Sequence, residues 1–185
     1  MTNWKCDSLG NLISYISKGI PPKYEENKSD ETIYVLNQKC NRNYAISYDS
    51  ARLHNNAIKP VNRDKVLKPN DVLINSTGMG TAGRVAQIFD VPETTTFDGH
   101  MILIRNNELI DPIYFGYSIK AHQSEIESLA EGSTGQTEIN RARLCNEIKI
   151  TFPEDKAEQK RIGEFLLNID NKIAINTRIN DNLAA

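Results

Sequence analysis

The stretch Asp71-Val72-Leu73-Ile74-Asn75-Ser76-Thr77-Gly78-Met79-Gly80-Thr81-Ala82-Gly83-Arg84-Val85-Ala86-Gln87-Ile88-Phe89 decides the fold class. Val72-Leu73-Ile74 is a short β-branched and apolar run behind the turn signal Lys68-Pro69-Asn70-Asp71, so it reads as a strand. Gly78 to Gly83 then satisfies G-x-G-x-x-G. A dinucleotide site of that form needs the third glycine to enter a helix whose N-terminus holds the pyrophosphate, with an acidic residue about 20 positions on. Here Gly83 runs into Arg84-Val85-Ala86-Gln87-Ile88-Phe89, which alternates as a half-buried strand does, and no repeated βαβ pattern surrounds it. The glycine loop is therefore either a tight structural hairpin or a side-chain-poor surface whose amides and hydroxyls lie against phosphates.

Working outward, Ile33-Tyr34-Val35-Leu36 and Met101-Ile102-Leu103-Ile104 are two more strand candidates. Asp111 followed by Pro112 is an N-cap with proline at the first helical position, and Gly132 stands where a C-terminal cap is expected, which predicts one helix from Pro112 to Glu131. A last helix follows Pro153, with Glu154, Asp155 and Glu158 near its N-terminus. The expected fold class is α+β, with a mixed, largely antiparallel sheet and a few helices over residues 1–153 and a long coiled-coil helix over 154–185.

Ile162, Leu166, Ile169, Ile173, Asn176, Asn180 and Leu183 follow one another at alternating steps of four and three, the a/d seam of a coiled coil. Thirty helical residues make a rod of about 45 Å, longer than a domain of this size readily covers. Phe165, Ile175 and Ile179 widen the apolar stripe, as in a helix lying on its own domain. The seam asparagines would cost stability yet specify register and partner.

The chain has 185 residues, 39% hydrophobic, with a net charge of −2, which suits one domain plus an appendage and argues against a generic nucleic-acid coat. The average hides an asymmetry. Between Ile33 and Arg84, Lys39, Arg42, Arg52, Lys59, Arg63, Lys65, Lys68 and Arg84 face Asp49, Asp64 and Asp71, a local balance of +5 against −7 for the remainder. Such a split suits one face presented to a polyanion, or else a solvated, charge-mixed surface. No run approaches the roughly 20 apolar residues that span a bilayer, and Met1-Thr2-Asn3-Trp4-Lys5 leads into no apolar signal core, so a cytoplasmic location is expected. Cys6, Cys40 and Cys145 are odd in number and widely spaced, which reads as three buried or idle thiols.

A second loop, Glu131-Gly132-Ser133-Thr134-Gly135-Gln136-Thr137-Glu138-Ile139-Asn140-Arg141, repeats the chemistry of the first, and two like loops suggest one ligand surface. Gln136 and Asn140 are of the type that reads an adenine edge, and Arg141 suits a phosphate or a guanine edge, although loop capping is the commoner fate of such residues. Lys18-Gly19-Ile20-Pro21-Pro22-Lys23-Tyr24 is a further loop with basic and aromatic tips. Conventional catalysis finds little support: His54, His100 and His122 lie in unlike contexts, and no H-E-x-x-H, G-x-S-x-G or P-loop word occurs. Asp98-Gly99-His100 without a third partner reads as a turn.

The ordered words Trp4…Leu9-Gly10, Lys18-Gly19-Ile20-Pro21, Val35-Leu36-Asn37-Gln38-Lys39-Cys40, Asp71 to Gly78, Gly83-Arg84-Val85-Ala86, Gly132 to Ile139, and Gln159-Lys160-Arg161-Ile162 with Ile169-Asp170 and Lys172-Ile173 carry a resemblance across the chain. Together they resemble one target-recognition unit of the specificity subunit of Type I restriction-modification enzymes. The resemblance implies a double-stranded DNA reader for one half of a split site, with the helix after it packed against its counterpart as a spacer. It implies no catalysis in this chain: adenine methylation and ATP-driven restriction would belong to modification and restriction subunits, which would hold S-adenosylmethionine, ATP and Mg2+. Members usually carry two such units, so one unit here suggests a fragment, or a half-length form pairing with a second copy through the terminal helix. The rival readings are a nucleotide-binding enzyme using Gly78 to Gly83 and a helical interaction module that never meets DNA.

On this reading Lys18, Lys23, Lys39, Arg84 and Arg141 are expected at phosphates, and Asn37, Gln38, Gln136 and Asn140 at base edges. Ser76, Thr77, Gly78, Ser133 and Thr134 are expected to line the surface with backbone and hydroxyl donors.

Overall fold

The computed structural model describes residues 3–132 and 137–184. In chain order the elements are β1 (Trp4–Ser8), α1 (Leu9–Leu12), β2 (Ile13–Lys18), β3 (Tyr24–Glu25), β4 (Thr32–Leu36), β5 (Asn41–Arg42), β6 (Ala45–Ile46), β7 (Arg52–Asn55), β8 (Val72–Asn75), β9 (Val85–Gln87), β10 (Thr95–Phe97) and β11 (Met101–Asn106). There follow α2 (Pro112–Ala121), α3 (Gln123–Ser128), β12 (Ala130–Glu131), β13 (Glu138–Ile139), α4 (Arg141–Glu147), β14 (Lys149–Pro153) and α5 (Lys156–Ala184).

A central antiparallel sheet in the order β2-β11-β8-β9 is the wall between two cores. Val72 and Ile74 of β8 and Ile102 and Ile104 of β11 face a helical layer with Leu9, Leu12, Phe115, Ile119, Ile126 and Leu144. The alternate residues Leu73, Met101 and Leu103 meet Leu36 and Phe97 of the second sheet, β10-β4-β7-β3. A strand covered on both faces is apolar at nearly every position, which is why residues 72–74 and 101–104 read as unbroken runs. β10 and β4 pair in parallel and the other strand pairs are antiparallel, so the expected mixed, largely antiparallel α+β class is what the chain adopts.

Two local expectations change. β9 is buried on both faces instead of half-buried. Its Gln87 is covered by α2 and donates through Nε2 to the Pro112 carbonyl at 2.7 Å, a closeness that requires Gly116, where a Cβ would lie 1.8 Å from Gln87 Oε1. The single helix from Pro112 to Glu131 is two helices broken at His122 (φ −91°, ψ 8°), and Ala130–Glu131 is a strand paired with β13. Asp111 does cap α2, its Oδ1 accepting from the amides of Ile113 and Tyr114 at 3.0 Å. The break serves tertiary needs: Gln123 turns in to accept from the edge amide of Val85, and Ile126 enters the core.

α5 is rooted by Gln159, which is fully buried: Oε1 accepts from the Asp111 amide at 2.7 Å, and Nε2 donates to the carbonyls of Pro153 and Leu109. Gly163 lets it lie against α2, since a Cβ there would come within 2.8 Å of the Tyr114 amide nitrogen. Further on, Asp170 accepts from Lys120 Nζ and the Tyr117 hydroxyl. Every described side chain from Asn171 to Leu183 is exposed. The terminal helix lies on its own domain for part of its length: Ile162 is spent on its own core, Leu166 is half-covered, and the seam from Ile169 onward, with Phe165, Ile175 and Ile179, faces outward. Of the thiols, Cys40 is buried as expected, whereas Cys6 lies exposed on β1.

Candidate nucleic-acid interface

Residues 75–84 cross from β8 to β9 at the edge of the central sheet, and three of their glycines adopt positive φ: +112° at Gly78, +67° at Gly80 and +89° at Gly83. At Gly83 the reason is also steric, because a Cβ would sit 2.6 Å from the Cα of Glu127, so α3 packs directly on the loop. Gly83 leads into β9 and opens no helix, which removes the pyrophosphate-binding geometry.

The second loop meets the first. Thr77 and Glu138 form a β-bridge, the Ile139 amide donates to the Ser76 carbonyl at 2.8 Å, and the Thr137 hydroxyl donates to the Gly78 carbonyl at 3.4 Å. Lys18, at the end of β2, joins the seam through an ion pair with Glu138. Lys18, Glu138, Asn140 and Arg141 line one shallow cleft there. Arg141 is exposed and forms no ion pair among the described residues. The two loops meet through residues 76–78 and 137–139, with Lys18 and Arg141 lining the cleft beside the junction. Ser133, Thr134 and Gln136 lie outside the described residues.

On the other flank of the Gly78 loop, Arg84 donates to the Gly80 carbonyl at 3.0 Å and lines a cleft of about 690 Å³ with Arg42, Asn43, Tyr44, Thr81 and Gln123. Asn43 and Tyr44 form the β5–β6 turn with φ of +52° and +61°. Left-handed backbone at a tyrosine is strained. The turn nonetheless holds an exposed ring there, 5.0 Å from Lys120 Nζ. Arg42 enters the sequence reading only as one charge of the basic block, and no local word marks Tyr44 or Gln123.

Several expected base or phosphate contacts are turned to structural work. Both ends of the Asn37 amide are engaged, Oδ1 accepting from the Lys39 amide and Nδ2 donating to the Ser50 carbonyl, so it caps a 3-10 turn. Gln38 points its Oε1 beneath Gly78, buried and without a described partner, because the Gly78 backbone leaves just enough room for it. Ser76 is fully buried and its hydroxyl faces inward, leaving its backbone to tie His100 and Ile139 together. Asn140 is exposed, but its Oδ1 caps α4 by accepting from Ala142 and Arg143. Lys39 is exposed beside the Gln38 turn. Lys23 is exposed too, in the segment before β3, where its amide donates to His54 Nδ1.

The basic block of the sequence is likewise divided. Lys59 and Lys65 donate to the carbonyls of Pro21 and Gly19, and Arg52 stacks on Tyr24, so these charges pin the 19–25 segment. Asp98, directly after β10 and bridged to Ile20, is buried; burial raises its pKa above the ordinary carboxylate value, opposed by the His100 amide and by the charges of His100 and Arg52.

Fold and site define a class: an α+β domain whose loops converge on one polar, basic-tipped surface and whose last helix leaves the body with its apolar face open. The described residues contain no group of three or more side chains that could hold a metal ion, and no helix long and apolar enough to cross a membrane. The profile of the Type I restriction modification DNA specificity domain matches residues 1–185, and the chain belongs to that family. It is 26% identical over 178 residues to the Type I restriction enzyme MjaVIII specificity subunit of Methanocaldococcus jannaschii, a match covering 96% of this chain and 38% of that protein. Its fold is similar to the S subunit of the Type I restriction-modification system from M. genitalium (TM-score 0.61, 19% identity, 94% of this chain and 40% of that one). It is also similar to the HsdS subunit of Thermoanaerobacter tengcongensis (TM-score 0.63, 18% identity, 95% of this chain and 39% of that one). The chain spans about two fifths of the length of these relatives.

Proposed function

We propose that residues 1–153 read one half-site of a split DNA sequence and that residues 154–185 form the spacer that holds this reader against a second one. The observation that carries the reading is the junction of the two loops at Thr77 and Glu138, with Lys18 and Arg141 lining one cleft beside it, in a chain of the DNA specificity domain family. Basic tips on a loop scaffold fix a phosphate backbone, and the side chains between them meet base edges. The chain works without catalysis of its own, in the cytoplasm, alongside modification and restriction subunits that hold S-adenosylmethionine, ATP and Mg2+. A second copy or a second unit joins through the open seam of α5. A nucleotide-binding enzyme is not favoured, because Gly83 feeds a strand.

Adenine-methylation mapping with the chain assembled on its modification subunit tests this. Methylation confined to one split motif, and moved to another motif when residues 1–153 are exchanged for those of a relative, is the expected result. Methylation that ignores the exchange removes the reading.

A further inference from the structure

His100 belongs to neither set of expected contacts, yet its surroundings hold it from three sides. Its amide donates to Asp98 Oδ1 at 2.9 Å, its carbonyl accepts from the Ser76 amide at 2.8 Å, and its ring Nδ1 lies 2.7 Å from the Thr77 hydroxyl. The residue is exposed, and Thr77 is the residue that bridges the two loops at Glu138. The backbone is pinned by two of these bonds and the ring by the third, which lowers the rotamer freedom the ring loses when a ligand arrives.

The Thr77 hydroxyl also fixes which nitrogen faces out. When it donates to Nδ1, the proton of the neutral ring resides on Nε2; when the ring is charged, both nitrogens carry protons. Nε2 is then an N–H donor in either state, and no described residue accepts from it. The charged groups around the ring are Asp98 on its own turn, Arg52 acting on Asp98 from β7, Glu138 across the Thr77 bridge, and Lys18, which pairs with Glu138.

We propose that His100 donates from Nε2 to a phosphate of the bound duplex. This rests on the DNA-reading function above. The test is duplex binding by the chain assembled on its modification subunit, with a thermal melt of each variant beside it. His100→Phe, which keeps a ring and removes the donor, should bind matched and scrambled duplexes alike about tenfold more weakly, while its melting temperature stays at that of the wild type. His100→Gln, which keeps an N–H donor, should recover most of the loss. A His100→Phe complex that binds as the wild type does, or that loses affinity for the matched duplex alone, overturns the proposal while leaving the DNA-reading function standing. A wild-type complex that binds no duplex removes both.

Discussion

Arg105 grips Asp71 at two points, Nε to Oδ1 at 2.7 Å and Nη2 to Oδ2 at 2.8 Å, with both side chains largely out of solvent. The same guanidinium donates to the carbonyls of Asp64 and Val66, so one side chain of β11 fastens the whole connection that enters β8. Removing it strands a buried carboxylate and frees two carbonyls. Arg105→Ala is expected to cost about 3 to 5 kcal/mol, measured by urea unfolding. Arg105→Lys should recover a minor part, because an ammonium cannot make the fork.

The glycine loop offers a contrast that separates backbone strain from collision. Gly80 and Gly83 both have positive φ, but a Cβ on Gly80 meets nothing within 4 Å, while one on Gly83 collides with the backbone of Glu127. Gly80→Ala should cost about 1 kcal/mol, the left-handed penalty alone. Gly83→Ala should cost clearly more and loosen α3, visible as faster amide exchange at Ile126 to Leu129. Equal costs would mean that α3 does not depend on this contact.

Asn140 and Arg141 are neighbours with separable duties. Asn140→Ala removes the cap of α4 and should lower stability by about 1 kcal/mol. Arg141→Ala should leave unfolding within about 0.5 kcal/mol of wild type, weaken binding of all duplexes alike and flatten the salt slope by about one unit. Salt-titrated binding of the assembled complex beside thermal melts distinguishes the two.

What was legible in the sequence follows the range of the forces involved. The runs at Val72 and Met101 and the Asp111-Pro112 cap declare themselves because burial on two faces and amide capping are written in adjacent residues. The break at His122 is not so written: it answers to Val85 and to the β12–β13 pairing, partners distant in sequence or across a loop. The shared composition of the two glycine loops points to one surface, and their contact runs through Thr77 and Glu138. The inward turn of Gln38 and Ser76 was not, because residue type specifies hydrogen-bonding capacity and tertiary packing specifies direction. His100 was read as part of a turn because it lacks a catalytic partner, and its relation to Thr77 exists in three dimensions alone.

Asp98 makes the pH dependence of stability testable. Burial raises its folded pKa above the ordinary value of 3.8, so the protonated form is the one the fold favours. Its contribution to stability is fully present below the unfolded pKa and is lost as pH rises through the folded pKa. Asp98→Asn keeps an oxygen to accept from the His100 amide and removes the buried charge. Its melting temperature should exceed that of the wild type at pH 7, with the gap closing as pH falls below about 4. A lower melting temperature at pH 7 would mean that the ionised carboxylate is held by Arg52 and His100 more strongly than burial opposes it.

The two halves of α5 should respond oppositely to substitution. Gln159 ties the helix root to Asp111, Leu109 and Pro153, and Gln159→Ala leaves those groups buried without partners, so thermal stability should fall by about 2 kcal/mol or more. The seam residues Ile173 and Leu183 are exposed on the outer half of the helix. Ile173→Asp with Leu183→Asp should therefore leave the unfolding of the isolated chain within about 0.5 kcal/mol of wild type. If the open seam is a helix-pairing surface, the same pair of changes abolishes association of the chain with a second unit, because a charge at a buried seam position is not tolerated without a partner. Sedimentation velocity over a concentration series reads this directly: a wild type that gains mass with concentration and a double variant that does not is the expected pair of results, and identical profiles would assign the seam no part in assembly.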